Sequence, residues 1–172
     1  MTDAPSAPES HRRDAPASVA CGVVTVSDTR TRNDDRSGDL IVELLERTGH
    51  SVAAREIVPD EAKQVTKLLK RLAGDKSIQA ILITGGTGVA PRDQTPEAVA
   101  ALLTKELSGF GELFRVLSYA EIGAAAMLSR ATAGLIDRTV VFLMPGSTAA
   151  VKLAVEQLVL PELAHVTSLA AK

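Results

Sequence analysis

Apolar runs with strand character alternate along the chain with segments of helical period. Ala20–Ser27 is a continuous apolar, β-branched run bounded by a polar loop, which predicts a strand buried on both faces, as in a parallel sheet. Gly38–Thr48 reads as a helix with Leu40, Ile41, Leu44 and Leu45 on its apolar face, Ser37 as N-cap and Gly49 just past its end. Val52–Val58 is a second, weaker strand. Pro59-Asp60-Glu61 opens another helix, with Asp60 placed to cap it and Val65, Leu68, Leu69 and Leu72 at i, i+3, i+4 and i+7. Ala80–Thr84 is a third strand. Thr95-Pro96-Glu97 begins a helix with a hydroxyl cap, proline at the first position and an acid in the first turn. Residues 109–119 and 121–128 read as helical, Thr139–Met144 as the last clear strand, and Ala149–Leu158 and Glu162–Ala170 as C-terminal helices. This alternation predicts an α/β fold, a three-layer α/β/α domain over residues 18–172 with a mostly parallel sheet.

Composition narrows the classes. The chain has 172 residues, 45% of them hydrophobic, with a mean hydropathy of +0.13, enough to build one core. Residues 1–17, rich in Pro, Ser, Ala and charge, predict a disordered arm. No apolar run approaches the length of a membrane span. Nineteen basic residues stand against 21 acidic ones, so no broad basic surface for nucleic acid is expected. The aromatics are Phe110, Phe114, Tyr119 and Phe142, too few for a base-stacking platform. The single Cys21 excludes a disulfide framework and a cysteine-based zinc cluster, and reads as a buried small side chain. Arg12-Arg13 is followed by Asp14-Ala15-Pro16 rather than an apolar export segment, so the expected location is cytoplasmic.

In open α/β sheets, ligands bind beyond the carboxyl ends of the strands. The loop after the first strand, Ser27 to Gly38, carries both charge signs and ends at a helix N-terminus that favours anions; it reads equally as a solvated surface loop. After the third strand comes Gly85-Gly86-Thr87-Gly88, followed by Arg92-Asp93. Glycines permit close backbone approach, and their N–H groups can form a nest for a phosphate or carboxylate, although a bare glycine turn also serves purely structural ends. Neither the P-loop nor the dinucleotide fingerprint is present. A cation and a carboxylate beside such a nest suit a metal–phosphate substrate. Asp60 follows the second strand, and Pro145-Gly146-Ser147 follows the last, where Ser147 or Thr148 caps a helix or donates to an anion. The loops thus gather Asp28, Asp35, Asp60, Asp93 and Arg92 on one edge. His11, His50 and His165 lie elsewhere, so hydrolysis through a histidine base is not expected. Phe110, Leu113, Phe114 and Leu117 form a helical stripe, either core or an interface between copies.

The motifs TVSDTR (25–30), DRSG (35–38), PDE (59–61), GGTGVAPRD (85–93), TPEA (95–98), MLSRA (127–131) and MPGS (144–147) resemble those of the MogA/MoaB-type molybdenum cofactor biosynthesis proteins. The G domains of gephyrin and of plant Cnx-type proteins are related to these. The likeness runs in order from about residue 20 to 168, and residues 109–131 resemble the MoaB branch. The resemblance implies a molybdopterin-binding-like fold and a protein that binds molybdopterin, a dithiolene pterin ending in a phosphate. It implies adenylylation of that phosphate with Mg·ATP, release of pyrophosphate, and hand-over to a separate molybdate-inserting protein. By the same likeness, Asp60, Asp93 and Ser129 are catalytic, and Asp60 and Asp93 hold Mg²⁺. Ser27, Asp28, Gly85, Gly86, Thr87, Gly88, Arg92, Pro145, Gly146 and Ser147 bind substrate or nucleotide. The MoaB branch implies a trimer or hexamer. The alternatives are a carrier that binds molybdopterin without ATP chemistry, and a scaffold for partners in the pathway. Neither nucleic acid nor membrane is an expected partner.

Overall fold

The computed structural model describes residues 16–172. Of the expected arm, all but Pro16 and Ala17 lies outside the described residues. Six strands form one sheet in the order β2-β1-β3-β6-β5-β4: β1 Ala20–Val26, β2 Ser51–Val58, β3 Ala80–Thr84, β4 Lys105–Glu106, β5 Thr132–Ile136 and β6 Thr139–Met144. β2, β1, β3 and β6 run parallel, while β5 and β4 add an antiparallel edge. The helices are α1 Arg36–Arg47, α2 Ala62–Ala73, α3 Thr95–Ala100, α4 Ser108–Ile122, α5 Thr148–Ala154 and α6 Leu160–Ala170. A 3₁₀ segment, Gly123–Leu128, extends α4.

The continuous apolar strands are explained by burial on both faces. Val23, Leu82, Phe142 and Met144 pack under α1, α4, α5 and α6, while Val24, Val26, Ile81, Ile83 and Leu143 pack on the other face with Val65, Leu69 and Leu72 of α2 and Val99 of α3. This is the expected three-layer arrangement with a mostly parallel sheet. Phe110 and Phe114 belong to the first core, at 8% and 1% exposure, so their side of the stripe is interior; Leu113 stands apart at 55%. Among the described residues, no helix is long and apolar enough to cross a membrane.

Several local expectations are corrected. α1 is capped by Asp35, whose side chain accepts from the Gly38 amide, whereas Ser37 Oγ donates to the Gly146 carbonyl at 2.8 Å. The N-cap of α2 is Glu61, without a side-chain cap bond, so Asp60 is released for another role. α3 begins at Thr95 itself, with Gln94 as N-cap. β5 was not anticipated: it pairs with β6 across a tight turn in which Asp137 adopts φ 52°. The two C-terminal helices are one helical run from Thr148 to Ala170, with a wider π turn at Val155–Val159 just before Pro161. That wider turn accommodates a proline that lacks a donor and would otherwise clash with the preceding turn.

A buried ion pair anchors the start of α1. Asp35, 2% exposed in its side chain, pairs with Arg55 of β2 at 3.1 Å; Arg55 also pairs with Asp39 at 2.7 Å. Thr25 Oγ1 of β1 donates to the same Asp35 carboxylate at 2.8 Å. Burial works against the Arg55 cation, but hydrogen bonds and charge from Asp35 and Asp39 outweigh it and hold its pKa above the usual value. Arg55→Met leaves the Asp35 charge buried and unmatched. Urea unfolding of that variant is expected to show a loss of roughly 3–5 kcal/mol, and a loss under about 1 kcal/mol would remove Arg55 from this role.

Candidate functional site

The sheet changes winding direction between β1 and β3, so the loops leaving those two strands diverge over a crevice at the carboxyl edge. β3 is followed by Gly85, at φ +102°, and Gly86, at φ +65°. A Cβ on Gly85 would lie 2.2 Å from the Val26 carbonyl oxygen, and one on Gly86 would lie 2.1 Å from Thr95 Oγ1. Only glycine permits this backbone to pass between the end of β1 and the start of α3. The Gly85 amide is tied to the Met144 carbonyl at 3.2 Å. Among the described residues, the amides of Gly86, Thr87, Gly88 and Val89 meet no acceptor, which leaves a run of donors at the turn.

Acidic side chains crowd one flank of this turn. Thr95 Oγ1 donates to Asp60 Oδ1 at 3.0 Å, and the Asp60 amide donates to Asp28 Oδ1 at 3.1 Å. Arg92 pairs with Asp28, so its cation is matched within the protein. Asp93 Oδ2 accepts from the Ala90 amide at 3.0 Å and lies against Gly88, where an added Cβ would meet it at 2.4 Å. Burial raises the Asp60 pKa above the usual carboxylate range; the Asp93 and Asp28 carboxylates raise it further, and the Thr95 hydroxyl partly offsets them.

Two hollows flank the ridge formed by Gly85–Gly88 and Pro145–Ser147. The first, of about 460 Å³, is lined by Ser27, Arg30, Arg36, Ser37, Gly85, Gly146 and Thr148 among others. The N-termini of α1 and α5 open onto it, and Ser147 caps α5 by accepting from Ala150 N. Arg30 is paired with Asp34, whereas Arg36 carries no ion pair among the described residues. Bonds from the amide and hydroxyl of Thr31 lower the Asp34 pKa, which keeps this pair charged. The second hollow, of about 270 Å³, is more apolar and is lined by Thr87, Gly88, Phe114, Leu128, Ser129 and Pro145 among others. The Ser129 hydroxyl is buried there and has no hydrogen-bond partner among the described residues, a cost that a polar ligand group would remove.

A family profile described as "Probable molybdopterin binding domain" matches residues 22–165. The chain belongs to that family. It is 53% identical over 159 residues to molybdenum cofactor biosynthesis protein B of Bacillus subtilis, a match covering 92% of this chain and 94% of the relative. Among solved structures, a molybdenum cofactor biosynthesis protein B superposes with TM-score 0.89 at 51% identity, covering 91% of this chain and 98% of the other. The tungsten cofactor synthesizing protein MoaB from Pyrococcus furiosus does so with TM-score 0.80 at 41% identity, covering 92% and 100%. The fold and the MoaB-type resemblance read from the motifs are therefore those of the molybdopterin-binding family.

In this family member the structure brings Asp28, Asp60, Arg92 and Asp93 together beside the glycine turn, and Ser27, Gly85, Gly146 and Ser147 around the first hollow. Thr87, Ser129 and Pro145 meet at the second hollow rather than at the carboxylates, while Gly88 borders both that hollow and Asp93. Asp35 is not at the acidic flank; it is held by Arg55 beneath the first hollow. Thr95 was anticipated only as a cap, but its hydroxyl holds Asp60, and Arg36 and Ser37 were not singled out as cleft walls. Among the described residues, no three His, Cys, Asp or Glu side chains form a complete metal cage. Two carboxylates are still the usual protein share of a Mg²⁺ site completed by substrate phosphates, and the crowded charge at Asp60 fits a cation there.

A raised carboxylate pKa means that the folded state binds the proton more tightly than the unfolded chain, so ionised Asp60 works against stability as pH rises. Asp60→Asn keeps the acceptor for Thr95 and removes the charge. Its melting temperature, scanned without Mg²⁺, is expected to exceed wild type at neutral pH and to converge with it in acid. A lower melting temperature at neutral pH would refute the crowding.

Proposed function

We propose that this chain is a molybdopterin adenylyltransferase in molybdenum cofactor biosynthesis, acting in the cytoplasm on ATP and molybdopterin with Mg²⁺. The observation that carries this reading is the pairing of Asp60 and Asp93 with a turn of unpartnered amides on a ridge between two hollows. The family match and the names of the relatives support the pathway.

In this reaction an oxygen of the molybdopterin phosphate attacks the α-phosphorus of ATP. The new P–O bond forms as the α–β bridging bond breaks, and pyrophosphate leaves with the electron pair. The nucleophile is already ionised at neutral pH and needs no general base. Two anions must instead be brought together and aligned. Free amides at Gly86–Val89, two helix N-termini and Arg36 supply donors and positive charge for that task. Asp60 and Asp93 would hold Mg²⁺, which when bound neutralises the nucleotide phosphates. Thr95 orients Asp60, and the Ala90 amide orients Asp93. The unpartnered Ser129 hydroxyl supplies a hydrogen bond inside the second hollow. The product then passes to a molybdate-inserting partner.

Asp93→Asn retains an oxygen for the Ala90 amide and loses the charge. Pyrophosphate release with molybdopterin and Mg·ATP is expected to fall by roughly 10²–10³ while pterin binding survives. Wild-type turnover in this variant would remove Asp93 from the chemistry. If wild type binds the pterin but releases no pyrophosphate, the chain is a carrier.

The same reading includes self-association as a trimer or hexamer. Val116, Tyr119, Ile122, Met127 and Leu128 on α4 and the 3₁₀ segment are each more than half exposed, an apolar face that Phe110 and Phe114 do not share. Val116→Asp alters no core contact of a residue that is 68% exposed. Light scattering is expected to show a smaller assembly with an unchanged melting profile for the protomer. An unchanged mass would exclude this face.

A further inference from the structure

One guanidinium joins the glycine turn to the loop that carries Asp93. Arg130 lies in the short link between the 3₁₀ segment and β5, with its side chain 28% exposed. Its Nε donates to the Thr87 carbonyl at 3.3 Å, and its Nη2 donates to the carbonyls of Gly88 and Asp93. Its Nη1 pairs with Glu97 in the first turn of α3. Three main-chain acceptors from two turns, and one carboxylate, thus converge on a single planar fork. Arginine has the donor number and geometry for this, and lysine does not. The peptide unit is planar and trans, so a carbonyl aimed at Arg130 turns the following N–H the opposite way. The orientation of the Gly88, Val89 and Gln94 amides is therefore set by the same contacts.

We infer that Arg130 is the positioning residue that fixes the glycine turn and Asp93 as one rigid unit. Four of its five donors are engaged by protein acceptors, so it acts through the turn and through Asp93 rather than on a reacting atom. Its catalytic consequence rests on the adenylylation reading above, while the clamp itself does not.

Arg130→Lys keeps the charge without the fork, and Arg130→Ala removes both. With ATP and molybdopterin, turnover of Arg130→Lys is expected to fall by roughly 10², the scale of a misplacement of about 1 Å, with KM for ATP held within about threefold. Low-millimolar guanidinium is expected to restore part of the Arg130→Ala turnover and to leave wild type unchanged, a response that a general loss of stability does not give. Hydrogen exchange supplies an arm independent of chemistry. The hydrogen-bonded amides of this segment, those of Gly85, Ala90 and Asp93, are expected to lose protection in Arg130→Lys, while β1 peptides keep theirs. Unchanged exchange over 85–94 overturns the inference, whatever the turnover. Lost protection with wild-type turnover overturns the catalytic consequence. If wild type releases no pyrophosphate, the adenylylation reading falls, and the exchange arm alone decides the clamp.

Discussion

The site depends on a main-chain contact. Gly85 passes so close to the Val26 carbonyl that no side chain fits between them. That approach brings the exit of β3 against the end of β1, and the Gly85 bond to Met144 adds the end of β6. Three neighbouring parallel strands therefore finish as one ledge, from which the glycine turn projects. The hydroxyls and helix ends around the first hollow have their positions because this ledge is rigid. The buried strands behind it, packed on both faces, leave little freedom to shift.

Charge around the ledge is sorted by burial. Asp35 is driven inside and matched by Arg55, where it orients Thr25 and the first turn of α1. Asp28 is matched by Arg92 near the surface. Asp60 and Asp93 lack such a cation partner among the described residues and repel one another beside a row of amide donors. This arrangement stores unfavourable negative charge beside a turn of free amide donors. Asp35 and Asp28 thus have their own counter-ions, whereas Asp60 and Asp93 have none among the described residues.

Much of this was legible in the chain. Unbroken apolar strands separated by amphipathic helices led to the three-layer fold, because period and burial are local in sequence. The motif-bearing loops led to one edge, because topology places every β-to-α loop there. Side-chain partners were less accessible. Asp60 and Thr95 each fit a helix-cap pattern, yet they bond to each other across 35 positions, a choice made by tertiary packing. β5 was missed because Gly134 weakens its apolar run and because a two-residue Asp137-Arg138 turn was not read as a hairpin. Pro161 sits within a continuous helical run, because a π turn just before it admits the ring. Arg130 gave no signal beyond a charged residue between two elements, since its acceptors are carbonyls, which every residue carries.

The lone thiol has a use outside the chemistry. Cys21 lies fully buried in β1, the strand enclosed by β2 and β3, and burial pushes its pKa up to about 12. As thiolate is the reactive form, an alkylating reagent meets a sealed and protonated sulfur in the folded chain. Labelling requires the middle of the sheet to open, so its rate reports the population of that open state rather than surface fraying. The native sequence thus contains a single-site reporter of global unfolding. It is also a sulfur that stays out of mixed disulfides while the fold persists.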